Sequence, residues 1–147
     1  MTTRVAVTGI GMVTPLGNDT TSSWEALKKG VSGAGPITHF DASAHETRIA
    51  AEVKGFDPLA YMDRKEVRRN DLFAQFALAA TVQALKDSML EVGPVAEDTG
   101  IILGSGIGGL TTMHEQFKLL FERGPDRISP FFSTMTPIDL AAGFISI

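Results

Sequence analysis

Residues 100–110 read GIILGSGIGGL, and the fold turns on what these glycines do. Gly104, Gly106 and Gly109 fit the G-x-G-x-x-G template of dinucleotide sites. That template makes three demands: a strand before the loop, a helix after it, and an acidic residue about 20 positions on, at the end of the next strand. The first two are met by the apolar run Thr99–Leu103 and by the helix-like pattern of Leu110–Arg123. The third fails, because Glu122 lies inside that following helix and no clear strand succeeds it. The loop also stands far from the chain start, whereas dinucleotide loops open the first strand–helix–strand unit. A dinucleotide-dependent oxidoreductase therefore remains only as an alternative. The plainest reading of the glycines is that they allow left-handed backbone and close packing.

Working outward, Arg4–Ile10 (RVAVTGI) reads as a buried strand that enters the loop GIGMVTPLGN. Thr14 stands where a third glycine of a dinucleotide loop would fall, and neither glycine loop ends in Gly-Lys-Ser/Thr. Asp19–Ser23 offer N-caps to a helix that carries Trp24 and Leu27 and stops at Gly30. Residues 31–63 are irregular and read as a loop-rich insertion. Asn70 or Asp71 then caps the strongest helix, with Phe73, Phe76, Ala77, Ala80 and Ala84 on one face, and Gly93-Pro94 ends it. ISPFFSTMTP (128–137) reads as a loop, and 138–147 is apolar nearly throughout. Buried-looking strands alternating with helices predict an α/β layered fold. Two strands do not complete a covered parallel sheet, so the apolar last segment is expected to need a packing partner.

Bulk properties narrow the function. The chain has 147 residues, 44% of them hydrophobic and 20% charged, which predicts a single folded domain. A net charge of −4 argues against a general nucleic-acid binder. No apolar run reaches membrane-span length and no signal peptide is evident, so a cytoplasmic protein is expected. Cysteine is absent, which removes disulfides and any thiolate nucleophile within the chain. Ser105 lacks the preceding glycine of a nucleophile elbow, because Leu103 occupies that place. His39, His45 and His114 show no ligand spacing and read as surface or structural residues, so no metal is expected. Arg64, Lys65, Arg68 and Arg69 crowd into six residues of an acidic chain. On a helix, Lys65, Arg68 and Arg69 share a face, either as a solvated surface or as a docking patch for an acidic partner.

Several segments together carry a resemblance. RVAVTGIGMVTPLGND (4–19), SGAGPITHFDAS (32–43), DRKEVRRNDLFAQFALAA (63–80), GIILGSGIGGL (100–110) and ERGPDRISPFF (122–132) with LAAGFISI (140–147) follow one another as in β-ketoacyl-acyl-carrier-protein synthases. Synthase II, the longer-chain elongation enzyme, is the subtype that the chain resembles most.

The resemblance implies a thiolase-like αβαβα fold, normally dimeric, of which this chain would be the N-terminal third or so. It implies a decarboxylative Claisen condensation in which a cysteine takes the acyl chain and two histidines assist. The family's Thr-Ala-Cys motif falls after the segment matching LAAGFISI, so all three catalytic residues are expected beyond Ile147. The chain alone is therefore expected to be inactive, and no cofactor is expected. A split or non-catalytic subunit that pairs with a C-terminal half is an alternative. Carried over residue by residue, Gly106, Ile107 and Gly108 would lie by the acyl pocket, with Ile107 as its gate. Phe131 and Phe132 would help line that pocket near the dimer contact. Lys65, Arg68 and Arg69, with Arg127, would dock the acyl-carrier protein. Two departures stand out: Asp126 precedes Arg127 where a second basic residue is common, and SerThrMetThrProIleAspLeu (133–140) replaces a more apolar stretch.

Overall fold

The structure is a computed structural model that describes residues 4–147. Three helices carry it: α1 (Thr20–Lys28), α3 (Leu72–Ser88) and α4 (Leu110–Arg123). Shorter helices α2 (Arg64–Val67), α5 (Phe132–Met135) and α6 (Asp139–Ser146) lie between and after them. Asp19, Asp63 and Asp71 cap α1, α2 and α3 by accepting N–H bonds that the first turn leaves free. Gly30 ends α1 in the left-handed region at φ +67°, and its N–H donates to the Leu27 carbonyl at 3.0 Å.

The long helix α3 is the centre of the assembly. The face predicted from its apolar spacing is only part of its contact surface. Ala74, Gln75 and Ala79 are its most buried positions, and they lie off that stripe. The reason is that α3 is enclosed on more than one side. The helix α6 packs along it, burying Ala141, and the 4–13 segment crosses another side. There Gly9 and Gly11 rest directly on the α3 backbone: a Cβ built on Gly11 overlaps the Ala80 carbonyl oxygen, and one on Gly9 overlaps that of Ala84. The α3 side chains hold this segment by its amides. Ile10 N–H donates to the Asp87 carboxylate at 2.9 Å and Met12 N–H to Gln83 Oε1 at 3.1 Å. The Gln83 amide in turn donates to the Asn18 carbonyl at 2.8 Å and to the Tyr61 hydroxyl at 3.0 Å.

The two strands expected at 4–10 and 99–103 carry no ladder among the described residues. A parallel strand is defined by its neighbours, and here neither run has one. Their apolar side chains stand in solvent: Val5 is 91% exposed and Ile102 fully so. The ladder that does form lies within 31–63, where β1 (Ala34–Pro36) pairs antiparallel with β2 (Ile49–Ala51). Glu52 closes that segment. The Thr38 hydroxyl donates to its carboxylate at 2.6 Å and the Thr38 N–H at 3.0 Å, and both bonds hold the carboxyl below the usual carboxylate range. Residues 128–137, expected as loop, contain α5, and the apolar 138–147 run forms α6. No helix among the described residues is long and apolar enough to cross a membrane.

Candidate functional site

The basic cluster runs through α2 and off its end: Arg64 and Lys65 lie on the helix, Arg68 is its C-cap and Arg69 follows in a turn, so the expected single helix face does not extend to Arg68 and Arg69. Asp63 starts this helix by accepting the Lys65 and Glu66 N–H groups, both at 2.8 Å. The Glu66 N–H, then the Lys65 N–H and the charges of Lys65 and Arg69, hold the Asp63 carboxyl below the usual aspartate range. At the other end, Asn70 Nδ2 donates to the Glu66 carbonyl at 3.1 Å. Gln75 Nε2 donates to Val67 and Asn70 carbonyls at 3.1 and 2.8 Å. A helix of one turn is marginal by itself, so these caps decide whether the cations are presented in order. Because the folded carboxyl titrates below its unfolded value of ~3.9, the cap is complete above that pH and is lost as pH falls through the folded value. The Lys65 and Glu66 amide resonances should therefore titrate together with a midpoint below an unfolded aspartate's, and Asp63→Asn should flatten both curves. A midpoint at or above the unfolded value would remove the cap from this account.

The cations open onto a groove of about 670 Å³, lined by Arg64, Lys65, Arg68 and Arg69 on one wall and by Ser129, Pro130 and Phe131 on the other. No acidic residue lines it. The Arg69 guanidinium lies 4.7 Å from the Phe131 ring centroid. The far wall is anchored to α4, since Ser129 N–H donates to Gln116 Oε1 at 2.6 Å. Arg127 is exposed two residues before Ser129 and is not among the lining residues.

The glycine loop lies at the start of α4. Gly108 has φ +83°, which favours glycine, and its N–H donates to Ser105 Oγ at 3.1 Å. Gly109 packs on the end of α5: its N–H donates to the Thr136 carbonyl at 3.0 Å, and a Cβ there would overlap the Met135 carbonyl oxygen. Gly104 and Gly106 face open space. A pyrophosphate bound in dinucleotide fashion needs the helix N-terminus free. Here Thr136 takes the Gly109 amide, and the Asp71 carboxylate takes the Thr112 N–H at 2.7 Å. Two amides at this helix start, those of Gly109 and Thr112, are thus already taken by the protein.

The predicted acyl-wall residues are placed separately. Ile107 is 62% exposed. Phe131 is in the basic groove, whereas Phe132 packs edge-on against Phe117 of α4, with ring centroids 6.2 Å apart. A second cleft, of about 700 Å³ and mainly apolar, lies between α3, α6 and residues 92–102, and neither Gly106 nor Ile107 lines it. His39 and His114 share a cleft with Phe40, Leu72, Leu110 and Glu115. No group of three metal-ligating side chains occurs among the described residues. Sequence reasoning missed the approach of Phe131 to Arg69, which are 62 positions apart, and the second bond of Asp71. No local pattern signals either, although Asp71 was legible as a helix cap.

Comparison with known proteins gives this geometry a context. A profile of the β-ketoacyl synthase N-terminal domain matches residues 2–147. The 3-oxoacyl-[acyl-carrier-protein] synthase 2 of Coxiella burnetii is 46% identical over 145 residues, and that of Vibrio cholerae 48%. Each alignment covers 98% of this chain and 35% of the relative, so the chain spans about a third of the length of these curated relatives. The ishigamide ketosynthase/chain length factor superposes with a TM-score of 0.81 at 23% identity, over 95% of this chain and 35% of that one, a likeness of fold. A type II polyketide ketosynthase solved in complex with its acyl-carrier protein superposes at 0.74 with 26% identity, over 95% of this chain and 37% of that one. The fold is thus the ketosynthase one, thiolase-like as the resemblance implied, with this chain matching about a third of it. The chain belongs to the β-ketoacyl synthase family, matching its N-terminal domain over residues 2–147.

Proposed function

We propose that this chain forms the carrier-docking face and part of the acyl-pocket wall of a 3-oxoacyl-acyl-carrier-protein synthase of fatty acid synthesis. In that reaction a thiolate attacks the acyl thioester and takes the acyl group, releasing the carrier thiol. Malonyl-carrier protein loses carbon dioxide, and the resulting carbanion attacks the enzyme-bound acyl carbonyl. The 3-oxoacyl carrier leaves and the thiolate is regenerated. The 147 residues contain no cysteine, so the acyl-accepting thiolate must come from outside them, and the chain alone is inactive on this reading. Gly106, Ile107 and Gly108 then border the acyl chain, with the exposed Ile107 as the gate and Phe132 at the start of α5. Residues 31–63 form an insertion of a single partial domain, and the complete enzyme is a cytoplasmic homodimer.

The observation that carries the docking reading is the groove of four cations with no carboxylate, on a chain whose net charge is −4. Such a concentration of one sign steers an oppositely charged partner into place. The same face is where the resemblance puts Lys65, Arg68 and Arg69. Arg127, exposed two residues before the lining Ser129, would contribute at its rim. Reversing Lys65→Glu and Arg68→Glu together should slow association with acyl-carrier protein by roughly 10–100-fold at low salt, with the difference shrinking as salt is added. Stopped-flow binding checks this. Association unchanged at low salt would reduce the cluster to a solvated face.

A further inference from the structure

The Arg69 guanidinium is prepared for a carboxylate. Its Cζ lies over the Phe131 ring, 4.7 Å from the ring centroid. Its side chain makes no hydrogen bond and no close ion pair among the described residues, its charge reaching Asp63 only at longer range, so its N–H donors are unused. A guanidinium laid flat on a ring keeps those donors accessible, because they point outward from the edge of its plane rather than from its face. Arg69 is also half-buried, whereas Arg64, Lys65 and Arg68 are exposed. It is the one member of the cluster held in a set orientation.

We propose that Phe131 is a positioning residue for acidic-partner recognition, which acts by carrying the face of Arg69 so that its edge meets a partner carboxylate two-pronged. The partner is the acidic carrier protein of the docking reading, on which this inference rests. The surroundings of Phe131 suit a fixed platform. Its N–H donates to Ser129 Oγ at 3.2 Å, and its carbonyl accepts the Thr134 and Met135 N–H groups, each at 3.0 Å. Ser129 is tied to α4 through Gln116, and Phe132 is locked against Phe117. The ring therefore sits on a tied turn, not on a free loop. A free arginine loses rotamer freedom when it binds, whereas a stacked one has lost much of it beforehand, and this difference is the gain. This assigns Phe131 to the docking surface and leaves Phe132 and Ile107 for the acyl chain.

A double-mutant cycle tests it, with carrier-protein affinity measured by calorimetry at low salt on the intact protein. Phe131→Leu should weaken binding roughly three- to tenfold in the native background and leave it nearly unchanged in the Arg69→Gln background. Phe131→Trp should restore or tighten binding, since indole is the best ring for an arginine, and a purely structural role would not predict that rescue. Arg69→Lys should lose about as much as Phe131→Leu, because a point charge lacks the fork. Equal losses from Phe131→Leu in both backgrounds, or no loss in either, would overturn the inference while leaving docking intact. Insensitivity to Lys65→Glu with Arg68→Glu would overturn the docking reading and this inference with it. Inhibition of binding by inorganic phosphate but not by an acidic peptide would also overturn it, by making the site one for phosphate.

Discussion

Replacing Asp71 with alanine should destabilise the protein by about 3 kcal/mol, combining a lost helix cap with a buried N–H left without an acceptor. Asp71 is only 5% exposed. Its carboxylate accepts Phe73 N–H at 3.3 Å, inside the first turn of α3, and Thr112 N–H at 2.7 Å, inside the first turn of α4. One side chain thus satisfies the starts of two helices, Asp71 and Thr112 being 41 residues apart. Both N-termini carry partial positive charge, so the anion suits the place twice over. Asp71→Asn keeps an acceptor oxygen but not the charge, and should cost about 1 kcal/mol. Urea denaturation of the two variants measures both losses. A loss below about 0.5 kcal/mol for the alanine variant, within the range of ordinary surface changes, would mean that water replaces Asp71 at Thr112. Because α4 begins right after Gly109, the alanine variant should also loosen the glycine loop, which would show as broadened Ile107 and Gly108 resonances.

Gly11→Ala is expected to cost about 1–3 kcal/mol or more by overpacking, with Gly9→Ala close behind. The added methyl of Gly11 would overlap the Ala80 carbonyl oxygen and sit 2.8 Å from the Ala84 nitrogen. Both are backbone atoms of α3, so no rotamer change relieves the overlap. Only displacement of the 4–13 segment does, and that breaks the Ile10 and Met12 amide bonds to Asp87 and Gln83. Alanine at Gly100 or Gly104, which face open space, provides the matched comparison. The thermal midpoint of Gly11→Ala should fall clearly below that of those controls, and coincidence of the three would show that the segment shifts freely.

How far these features were legible in the sequence depends on how local their causes are. Helices α1, α3 and α4 were readable because caps and 3.6-residue periodicity act within a few residues, although α3 ends at Ser88, with Met89 left-handed at φ 54°, ahead of the expected Gly93-Pro94 stop. The α3 cap was narrowed to Asn70 or Asp71, and Asp71 supplies it. The strands at 4–10 and 99–103 were read from β-branched composition alone. A ladder is a relation between segments, and Val5 and Ile102 find no such neighbour among the described residues. The helices α5 and α6 were missed because Pro137 and turn-forming residues in 128–137 resemble loop chemistry, and α6 has no side-chain cap to announce it. The basic cluster was legible as charge. Its opposite wall at Ser129–Phe131 was not, since only the packed chain brings 64–69 and 129–131 together.

The contact between the 4–13 segment and α3 has a thermodynamic consequence. Gly9 and Gly11 meet the backbone with no side chains of their own, and the anchors are the polar groups of Asp87 and Gln83. Val5 and Val7 already face solvent, at 91% and 83% exposure. Peeling residues 4–11, ahead of the half-buried Met12 and Val13, from the helix therefore hydrates little new hydrocarbon. Its detachment should carry almost no heat-capacity change, because that signature comes from apolar hydration. The strength of the attachment should then vary little between cold and warm, unlike that of a hydrophobic core, which weakens on cooling.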